Sequence, residues 1–381
     1  MKVKRTCILI CIVVLGLVAF GAMMVYSASS YSAAYHYNNP YFFLYKQIFG
    51  IVLGLACMLG LTFFDYHKLK KFKWAFVIVT WVMLALVFIP GIGTESYGAK
   101  RWLSIFGVSI QPSEVAKFSL VIFLAAYLSD NYEKIKSFKT LIVPLLVAAS
   151  FCVLVILEPS MSVTMCLGFV TLFMLIAGGI SKKHTILFSV PAAAAVPLLI
   201  ALEPYRLKRL FAFINPWASP QGEGFQLIQS LYSLGSGGWF GVGLFNSRQK
   251  YLFLPFAESD FIFSVIGEEI GLVGCILLMS AFAVLVWLLI KIALNAPDRF
   301  GALLAGGIAF IIGIQALLNI AVVTGSIPPT GLPLPFISSG GTSVMVFMAG
   351  IGICLNVARQ SKTSPGRGKL FKFKKSRAKS V

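Results

Sequence analysis

The chain is divided into apolar runs of about twenty residues that are separated by short charged segments. Runs of this kind occupy residues 7–25, 42–64 and 74–90, for example. Each is long enough to cross about 30 Å of hydrocarbon, where every backbone N–H and C=O group must be bonded within the protein. Only 12% of the residues are charged, against about 25% in soluble domains. The pattern therefore predicts an all-α polytopic membrane protein.

Lysine and arginine residues mark the predicted cytoplasmic side. The net charge is +19, and eight of the 32 Lys and Arg residues lie in the tail after Ser361. Most others fall in short loops such as 65–73 and 134–139, an orientation signal rather than a nucleic-acid surface. The alternation of basic loops with apolar runs predicts about ten spans with both termini in the cytoplasm. The first run is interpreted as an uncleaved helix, not a secretory signal.

This topology predicts one membrane domain at 1–360 and a disordered basic cytoplasmic tail at 361–381. Its longest polar stretch is a large extracytoplasmic loop at 203–260, between the seventh and eighth spans. Cations gather on the predicted outer side, at Lys100, Arg101, Arg206, Lys208, Arg209, Arg248 and Lys250.

These outer cations oppose the orientation signal, so they need another explanation. One interpretation is contact with lipid headgroups, with the aliphatic stems lying along apolar surface. The other is a shared binding surface for a phosphate-bearing lipid, because a guanidinium fork matches phosphate oxygens and is weakly screened near the hydrocarbon boundary.

Carboxylates at membrane depth are the second group of candidates. Asp260 opens the predicted eighth helix, where an acid either stabilises the helix N-terminus or acts as an ionisable functional group. Desolvation raises the pKa of such an acid and nearby arginine lowers it, and the balance of the two effects allows a base that is active near neutrality. Glu268 and Glu269 are interpreted as structural ion-pair partners. Glu114 and Lys117 lie three residues apart on one helical face and predict an intramembrane pair, or else an acid near the cavity.

Other features exclude common sites. The glycine-rich segment 235–243 is not followed by Gly-Lys-Ser/Thr, which excludes a nucleotide phosphate loop. Its glycines are expected to let a surface-lying segment bend, beside a short interfacial helix at 226–232. The seven cysteines lie in apolar runs and are interpreted as small hydrophobic residues. Three histidines are too few for a histidine-rich metal site.

A series of ordered motifs follows the predicted outer loops and helix starts: Gly98-Ala-Lys-Arg-Trp102, Gln111-Pro-Ser-Glu114, Asn215-Pro-Trp217, Gly224-Phe-Gln226, Ser247-Arg-Gln-Lys250, Asp260-Phe-Ile-Phe263, Glu268-Glu-Ile-Gly271 and Thr330-Gly-Leu-Pro-Leu-Pro-Phe336. On these motifs the chain resembles the SEDS family of bacterial membrane proteins, which includes FtsW, RodA and SpoVE. The resemblance extends to about residue 359. The last motif and Ala296-Pro-Asp298 look closer to the division and sporulation members.

The resemblance implies a ten-span glycosyltransferase of the bacterial inner membrane that polymerises lipid II into peptidoglycan during cell division. Transfer would be inverting, from a polyprenyl-diphosphate donor, beside a class B penicillin-binding protein and other divisome proteins. The resemblance makes Asp260 the catalytic residue. Predicted to bind substrate are Lys100, Arg101, Arg206, Arg209, Gln226, Arg248 and Lys250. Predicted supporting residues are Glu114, Lys117, Glu268 and Ser338. A divalent cation (Mg²⁺ or Mn²⁺) is a candidate cofactor with no assigned ligands.

The sequence departs from the family pattern at two positions, and two other function classes are considered. Ser160 stands where the family usually has an aspartate, and Ser339 stands where it has a tyrosine. A lipid II flippase would need polar residues distributed through the depth of the membrane, whereas here they concentrate on the predicted outer side. A non-enzymatic divisome scaffold would use the loop charges only for protein contacts.

Overall fold

The computed structural model describes residues 3–96, 99–105 and 108–361, so the tail predicted at 361–381 lies outside the described residues except for Ser361. Along the described chain, helices and strands occur in this order: α1 (Val3–Tyr37), α2 (Phe42–Phe63), α3 (His67–Lys71), α4 (Lys73–Leu86), β1 (Gly93–Ser96), β2 (Ala99–Ile105), β3 (Val108–Ile110), α5 (Pro112–Asp130), α6 (Phe138–Leu157), α7 (Met161–Gly178), α8 (Lys182–Ala201), α9 (Pro204–Ile214), α10 (Phe225–Gly237), α11 (Ile262–Leu294), α12 (Arg299–Val323) and α13 (Gly341–Gln360).

Ten of these helices stand where the ten spans are predicted, and the polytopic helical architecture is confirmed. Within the described residues, eight helices are long and apolar enough to cross a membrane. Helix α4 is shorter, with 14 residues. Helix α8 occupies the place of the seventh span and contains two prolines, Pro191 and Pro197.

Helix α1 extends well beyond the predicted run 7–25. Its 35 residues correspond to about 52 Å at 1.5 Å per residue, more than the hydrocarbon layer requires. Its last turns carry exposed Tyr31, Tyr35 and Tyr37, and the ring of Tyr31 lies 4.9 Å from that of Tyr251. Tyrosine is typical of the membrane–water interface, so α1 leaves the bilayer beside the long loop.

Helices α5 and α13 form the centre of the bundle. In both helices, 83% of the residues in the membrane-spanning stretch are buried inside the protein, against 22% in α2. Helix α13 packs on α2 through glycine, since a Cβ at Gly50 would come within 2.5 Å of Gly341 Cα. A Cβ at Gly352 would likewise come within 2.5 Å of the Met58 carbonyl oxygen. Small residues allow this close approach, which dispersion then stabilises in lipid.

A small antiparallel sheet, in the order β1-β2-β3, fills the loop before α5. Gly93 pairs with Leu103, and Leu103 in turn pairs with Ile110. Leu103 is fully buried, so the sheet packs on the bundle through this residue. These strands are not evident from the sequence, because they are short and separated by glycine, which weakens their alternating pattern.

Helix α11 is broken at Gly271, whose φ of 69° lies in the left-handed region that favours glycine. The glycine-rich segment after α10 supplies the lost backbone partners. The amides of Val242 and Gly243 donate to the carbonyls of Glu268 and Glu269, at 2.9 and 3.1 Å. The amide of Leu272 donates to the Gly238 carbonyl at 2.9 Å.

This backbone pairing corrects the expectation that segment 235–243 merely bends along the membrane surface. Non-helical backbone at membrane depth is tolerated where protein groups satisfy it, and here the glycines allow two backbones to touch. A Cβ at Gly241 would lie 2.2 Å from the Glu269 carbonyl oxygen. The predicted interfacial helix at 226–232 is part of α10, whose buried Ser230 and Ser233 bond to Ser264 on α11.

Candidate active site

Asp260 lies in the turn directly before α11 and is partly exposed. Asn319 of α12 fixes this turn, because its Nδ2 donates to the backbone oxygens of Asp260 and Leu332, each at 2.8 Å. A Cβ added at Gly331 would lie 3.3 Å from Asp260 Oδ2. The Pro-rich segment before α13 therefore runs beside the carboxylate, where glycine keeps space for it.

Ser338 connects the Pro-rich segment to the same turn. Its Oγ donates to the Ser259 backbone oxygen at 2.7 Å and accepts from the Leu334 amide at 2.7 Å. The Ser339 amide donates to the Glu258 backbone oxygen at 2.8 Å. Ser338, predicted as a supporting residue, thus positions the backbone around Asp260 rather than presenting a group to solvent.

Four charged groups, on β2, α5, α9 and the turn before α11, act on Asp260. Burial raises the pKa of the Asp260 carboxyl to about 6. Arg101 and Arg209 lower that pKa to a smaller extent, whereas Glu258 and Glu114 raise it further. A carboxylate with this pKa is deprotonated at neutral pH yet basic enough to accept a proton from a reacting hydroxyl.

Arg101 is held by the turn between α6 and α7. Its Nε donates to the Glu158 backbone oxygen at 3.0 Å and its Nη2 donates to the Pro159 backbone oxygen at 2.6 Å. Burial lowers the pKa of the Arg101 guanidinium, while Asp260 raises it. Since guanidinium remains charged in proteins, strand β2 places a fixed cation within electrostatic reach of the candidate base.

Arg209 reaches the site from α9, the amphipathic helix that opens the long loop. Its guanidinium lies 4.6 Å from the centroid of the Tyr205 ring, a cation–π contact. Pro204 occupies the first turn of α9, where its missing N–H costs nothing. The helix thus begins directly after α8 and presents Arg209 half-buried.

A buried polar network lies next to the site. Lys117 Nζ donates to Glu114 Oε1 at 2.6 Å and also donates to Gln315 Oε1. Gln315 Nε2 donates to the Pro333 backbone oxygen at 2.9 Å, and Ser343 Oγ donates to Glu114 Oε2 at 3.2 Å. Glu114, Lys117 and Gln315 are all 0% exposed. The predicted intramembrane pair is confirmed, and it holds the Pro-rich segment that runs beside Asp260.

The prediction that Lys250 belongs to a substrate-binding cation surface needs correction. It is 6% exposed, and its Nζ lies 3.7 Å from Glu269 Oε1. The same Nζ donates to the Phe245 backbone oxygen. Because its charge is buried against a carboxylate, Lys250 stabilises the loop and does not offer an ammonium group to a lipid.

Glu268 organises the rest of that loop. Its carboxylate accepts from Ser247 Oγ at 2.6 Å, from Ser233 Oγ at 3.2 Å and from the Arg248 amide at 2.9 Å. Glu269 accepts from Ser27 Oγ of α1 at 2.5 Å. Glu268 therefore supports the chain around the break in α11.

The other predicted substrate-binding residues are more dispersed. Arg248 is exposed on the loop that Glu268 holds, and Arg206 is half-buried on α9. Gln226 Nε2 donates to the Pro255 backbone oxygen at 3.4 Å. The side chain of Lys100 lies outside the described residues. The charges of Arg101 and Arg209 thus act on Asp260, whereas the charge of Lys250 is paired with Glu269.

Glu158 is a site residue that sequence reasoning left without a role. It is 0% exposed, and neither carboxylate oxygen has a hydrogen-bond partner among the described residues. Burial raises the pKa of Glu158 to about 8, against the smaller opposing effect of Arg101. The only sign of Glu158 in the sequence is its place directly before Pro159 at the end of a span. An acid at such a place is equally typical of a solvated turn.

We expect Glu158→Gln to stabilise the protein at alkaline pH. The unfolded carboxyl ionises near pH 4.5 and the folded one only at about pH 8. The folded state therefore binds more protons in this window, and stability falls as pH rises. At pH 8 the apparent melting temperature of Glu158→Gln should exceed that of the wild type by roughly 5 °C, with a smaller difference at pH 5.

The control for this prediction is Glu133→Gln, which removes an exposed acid and should follow the wild type at both pH values. Thermal unfolding of the purified protein, followed by intrinsic fluorescence, measures the difference. Identical pH dependence in Glu158→Gln and the wild type would show that Glu158 is solvated and ionised.

Comparison with known proteins adds to this geometry. The family model described as "Cell cycle protein" (FtsW, RodA and SpoVE) matches residues 7–363. The chain is 38% identical over 365 residues to stage V sporulation protein E of Bacillus subtilis, covering 95% of this chain and 100% of that one. It is also 38% identical to a probable peptidoglycan glycosyltransferase FtsW of Geobacter metallireducens, covering 96% and 97%.

Solved structures share the fold. One chain, from a study of how a peptidoglycan synthase complex coordinates polymerization and crosslinking, superposes with a TM-score of 0.77 at 28% identity, covering 93% of this chain and 98% of that one. The rod shape determining protein RodA of Thermus thermophilus gives a TM-score of 0.68 at 25% identity, covering 92% and 96%. With nearly the whole chain matched in sequence and in fold, the protein belongs to the FtsW/RodA/SpoVE family.

Proposed function

We propose that this protein is a peptidoglycan glycosyltransferase that polymerises lipid II on the outer face of the bacterial inner membrane. The observation that carries the proposal is the position of Asp260, held by Asn319 beside the Pro-rich segment and within electrostatic reach of two arginines from distant parts of the chain. Family membership and the FtsW relative named above support the same activity. The division and sporulation relatives favour a role in septal or spore wall synthesis.

In the proposed reaction, Asp260 acts as a general base. One carboxylate oxygen takes the proton of an acceptor sugar hydroxyl while the hydroxyl oxygen bonds to the anomeric carbon of the donor. The bond from that carbon to the diphosphate breaks, and the diphosphate leaves with the electron pair. Attack opposite the leaving group inverts the anomeric configuration. Base assistance contributes about 10²–10⁴-fold, and positioning of the two sugars supplies much of the remainder.

Arg101 and Arg209 would stabilise the negative charge that develops on the leaving diphosphate. Two of the five N–H donors of Arg101 are used by the turn at Glu158 and Pro159, and these bonds orient the rest of the guanidinium. Preorganised donors of this kind are usually the largest electrostatic contribution to catalysis. Arg209 lies on an exposed amphipathic helix, which suits contact with a lipid-linked substrate.

A divalent cation remains a prediction. Over the described ranges, no three His, Cys, Asp or Glu side chains lie together as a metal site. Mg²⁺ is commonly held by one or two carboxylates together with substrate phosphates. Asp260 and a bound diphosphate would fit that arrangement, in which the ion would neutralise phosphate charge.

Orientation and partners belong to the same proposal. Lysines cluster at the end of the bundle opposite Asp260, for example Lys182 and Lys183 at the start of α8. By the positive-inside rule, this distribution supports a topology with both termini in the cytoplasm and Asp260 outside. We propose a class B penicillin-binding protein as the transpeptidase partner, supported by the similarity to a chain of a peptidoglycan synthase complex.

The test is polymerisation of lipid II by the purified full-length chain, with Arg209→Gln compared to Lys208→Gln. Both substitutions remove one cation from α9, but Lys208 is exposed whereas Arg209 acts on Asp260. We expect Arg209→Gln to raise the lipid II concentration for half-maximal rate about fivefold and Lys208→Gln to change it little.

Equal effects of the two substitutions would refute the specific role of Arg209. Absence of polymer from the wild-type chain and its transpeptidase partner together, with translocation of labelled lipid II across vesicles, would replace the transferase by a flippase.

A further inference from the structure

A cavity of about 630 Å³ lies between α5, α7, α11 and α12. Arg299 lines one end of it and begins α12, whereas Asn319, which bonds to Asp260, lies close to the other end of the same helix. About twenty residues of helix correspond to about 30 Å. The cavity runs along α12 from Arg299 to Leu317, and its lining includes none of the residues placed around Asp260. Its Arg299 end lies near the opposite membrane surface.

The walls of this cavity are suited to a hydrocarbon chain. Phe173, Phe310 and Ile290 are among the apolar side chains that line it. Gly306 leaves open space, since a Cβ there would come no closer than 3.8 Å to Ala293. Leu317, also in the lining, is 63% exposed, so the cavity opens sideways toward lipid. An apolar groove with this opening is accessible to lipid from within the bilayer.

The end of the cavity at Arg299 is cationic. The Arg299 guanidinium lies 2.8 Å from the centroid of the Tyr132 ring, and both residues line the cavity. Nη1 of Arg299 is buried without a hydrogen-bond partner in the described part of the chain. A buried donor left unpaired is costly, so we expect this nitrogen to donate to an acceptor on a bound ligand.

The neighbouring acid does not serve as that acceptor. Asp298 Oδ1 accepts from the Gly301 amide at 2.9 Å. Its Oδ2 accepts from the Tyr66 hydroxyl and lies 3.2 Å from His67 Nε2. Asp298 is thus engaged with its own helix and with the residues at α3, which leaves the charge of Arg299 available to a ligand in the cavity.

We infer that this cavity is a binding site for an anionic phospholipid of the cytoplasmic leaflet. The phosphate is held by Arg299, and one acyl chain lies against Gly306 between α7, α11 and α12. A guanidinium fork binds phosphate in bidentate fashion, and basic pockets between transmembrane helices on the cytoplasmic side bind phosphate headgroups. Charge complementarity favours an anionic lipid over a zwitterionic one.

The experiment is native mass spectrometry of the full-length protein released from nanodiscs of phosphatidylethanolamine and phosphatidylglycerol. The wild type is expected to retain phosphatidylglycerol about fivefold over its share of the bilayer. Arg299→Gln should abolish this enrichment, and Arg299→Lys should restore much of it. Lys291→Gln is the matched control, because Lys291 lies over the Trp287 ring at 3.2 Å and is not part of the cavity lining.

A second pair of variants tests the acyl-chain site independently of the cation. Gly306→Leu fills the cavity and should reduce phosphatidylglycerol retention at least threefold, because the acyl chain loses buried apolar contact. Gly168→Leu, on α7 where an added Cβ meets nothing within 4 Å, should leave it unchanged. Thermal unfolding of each variant verifies folding.

Unchanged enrichment in both Arg299→Gln and Gly306→Leu would overturn the inference. Displacement of phosphatidylglycerol by an equimolar polyprenyl phosphate would overturn the assignment to phospholipid and make the cavity a site for the carrier lipid.

Discussion

Replacement of Asp260 by asparagine is expected to reduce lipid II polymerisation by at least about 10²–10⁴-fold. Asparagine keeps the size of the side chain but has no oxygen basic enough to accept the hydroxyl proton. The fold should be retained, because Asn319 holds this turn through the backbone oxygen of residue 260 and not through the carboxylate. The variant should therefore unfold at the wild-type temperature and still bind lipid II.

Glu258→Gln is the matched control for this loss. It removes a buried carboxylate two residues away that acts on Asp260 only through its charge. Without Glu258 the pKa of Asp260 falls slightly, so the rate at neutral pH should stay within about threefold of the wild type. A Glu258→Gln variant as inactive as Asp260→Asn would point to a requirement for both acids and would contradict a single general base.

Lys117→Met is expected to destabilise the protein by about 3–5 kcal/mol. It leaves the Glu114 carboxylate without its cation and Gln315 Oε1 without the donor it now has. Both residues are 0% exposed, so water cannot take over the role of the ammonium group. Activity should fall as well, because Gln315 also fixes the Pro-rich segment beside Asp260 through Pro333.

The double variant Glu114→Gln/Lys117→Met should recover most of this stability. Removing both charges of a buried pair is often close to neutral, whereas removing one leaves a buried charge uncompensated. Lys139→Met, at an exposed lysine, controls for the loss of a cation in general. Fluorescence-detected size-exclusion after heating gives the apparent melting temperatures. A single variant as stable as the wild type, or a double variant worse than the single, would show that the pair is hydrated.

The helices were predictable because lipid allows few alternatives. A run of apolar residues in hydrocarbon must satisfy its backbone internally, so hydropathy alone located the ten spans. Asp260 and the set of loop cations that includes Arg101 and Arg209 could be noticed for a related reason: ionisable groups at the membrane boundary are costly unless they are used. The catalytic role of Asp260 came from the family resemblance. The buried pair of Glu114 and Lys117 followed from helical spacing.

What could not be predicted depends on contacts between distant segments. Lys250 looks like any other loop cation until the fold places Glu269 next to it. The break at Gly271 is hidden because the sequence stays apolar through it, and its partners lie some thirty residues earlier in the glycine-rich segment. Asn319 and Gln315 are single amides inside an apolar helix. Only the fold shows that their side chains bond to the backbone of the Pro-rich segment.

The most direct measurement is the initial rate of lipid II polymerisation by purified wild type and Asp260→Asn, side by side, from pH 5 to pH 8. A general base must be deprotonated to act, and the pKa of Asp260 is raised to about 6. The wild-type rate should therefore rise through about pH 6 and level off above it, while Asp260→Asn stays near background at every pH. An Asp260→Asn enzyme that makes glycan strands at the wild-type rate would contradict the assignment of Asp260 as the base.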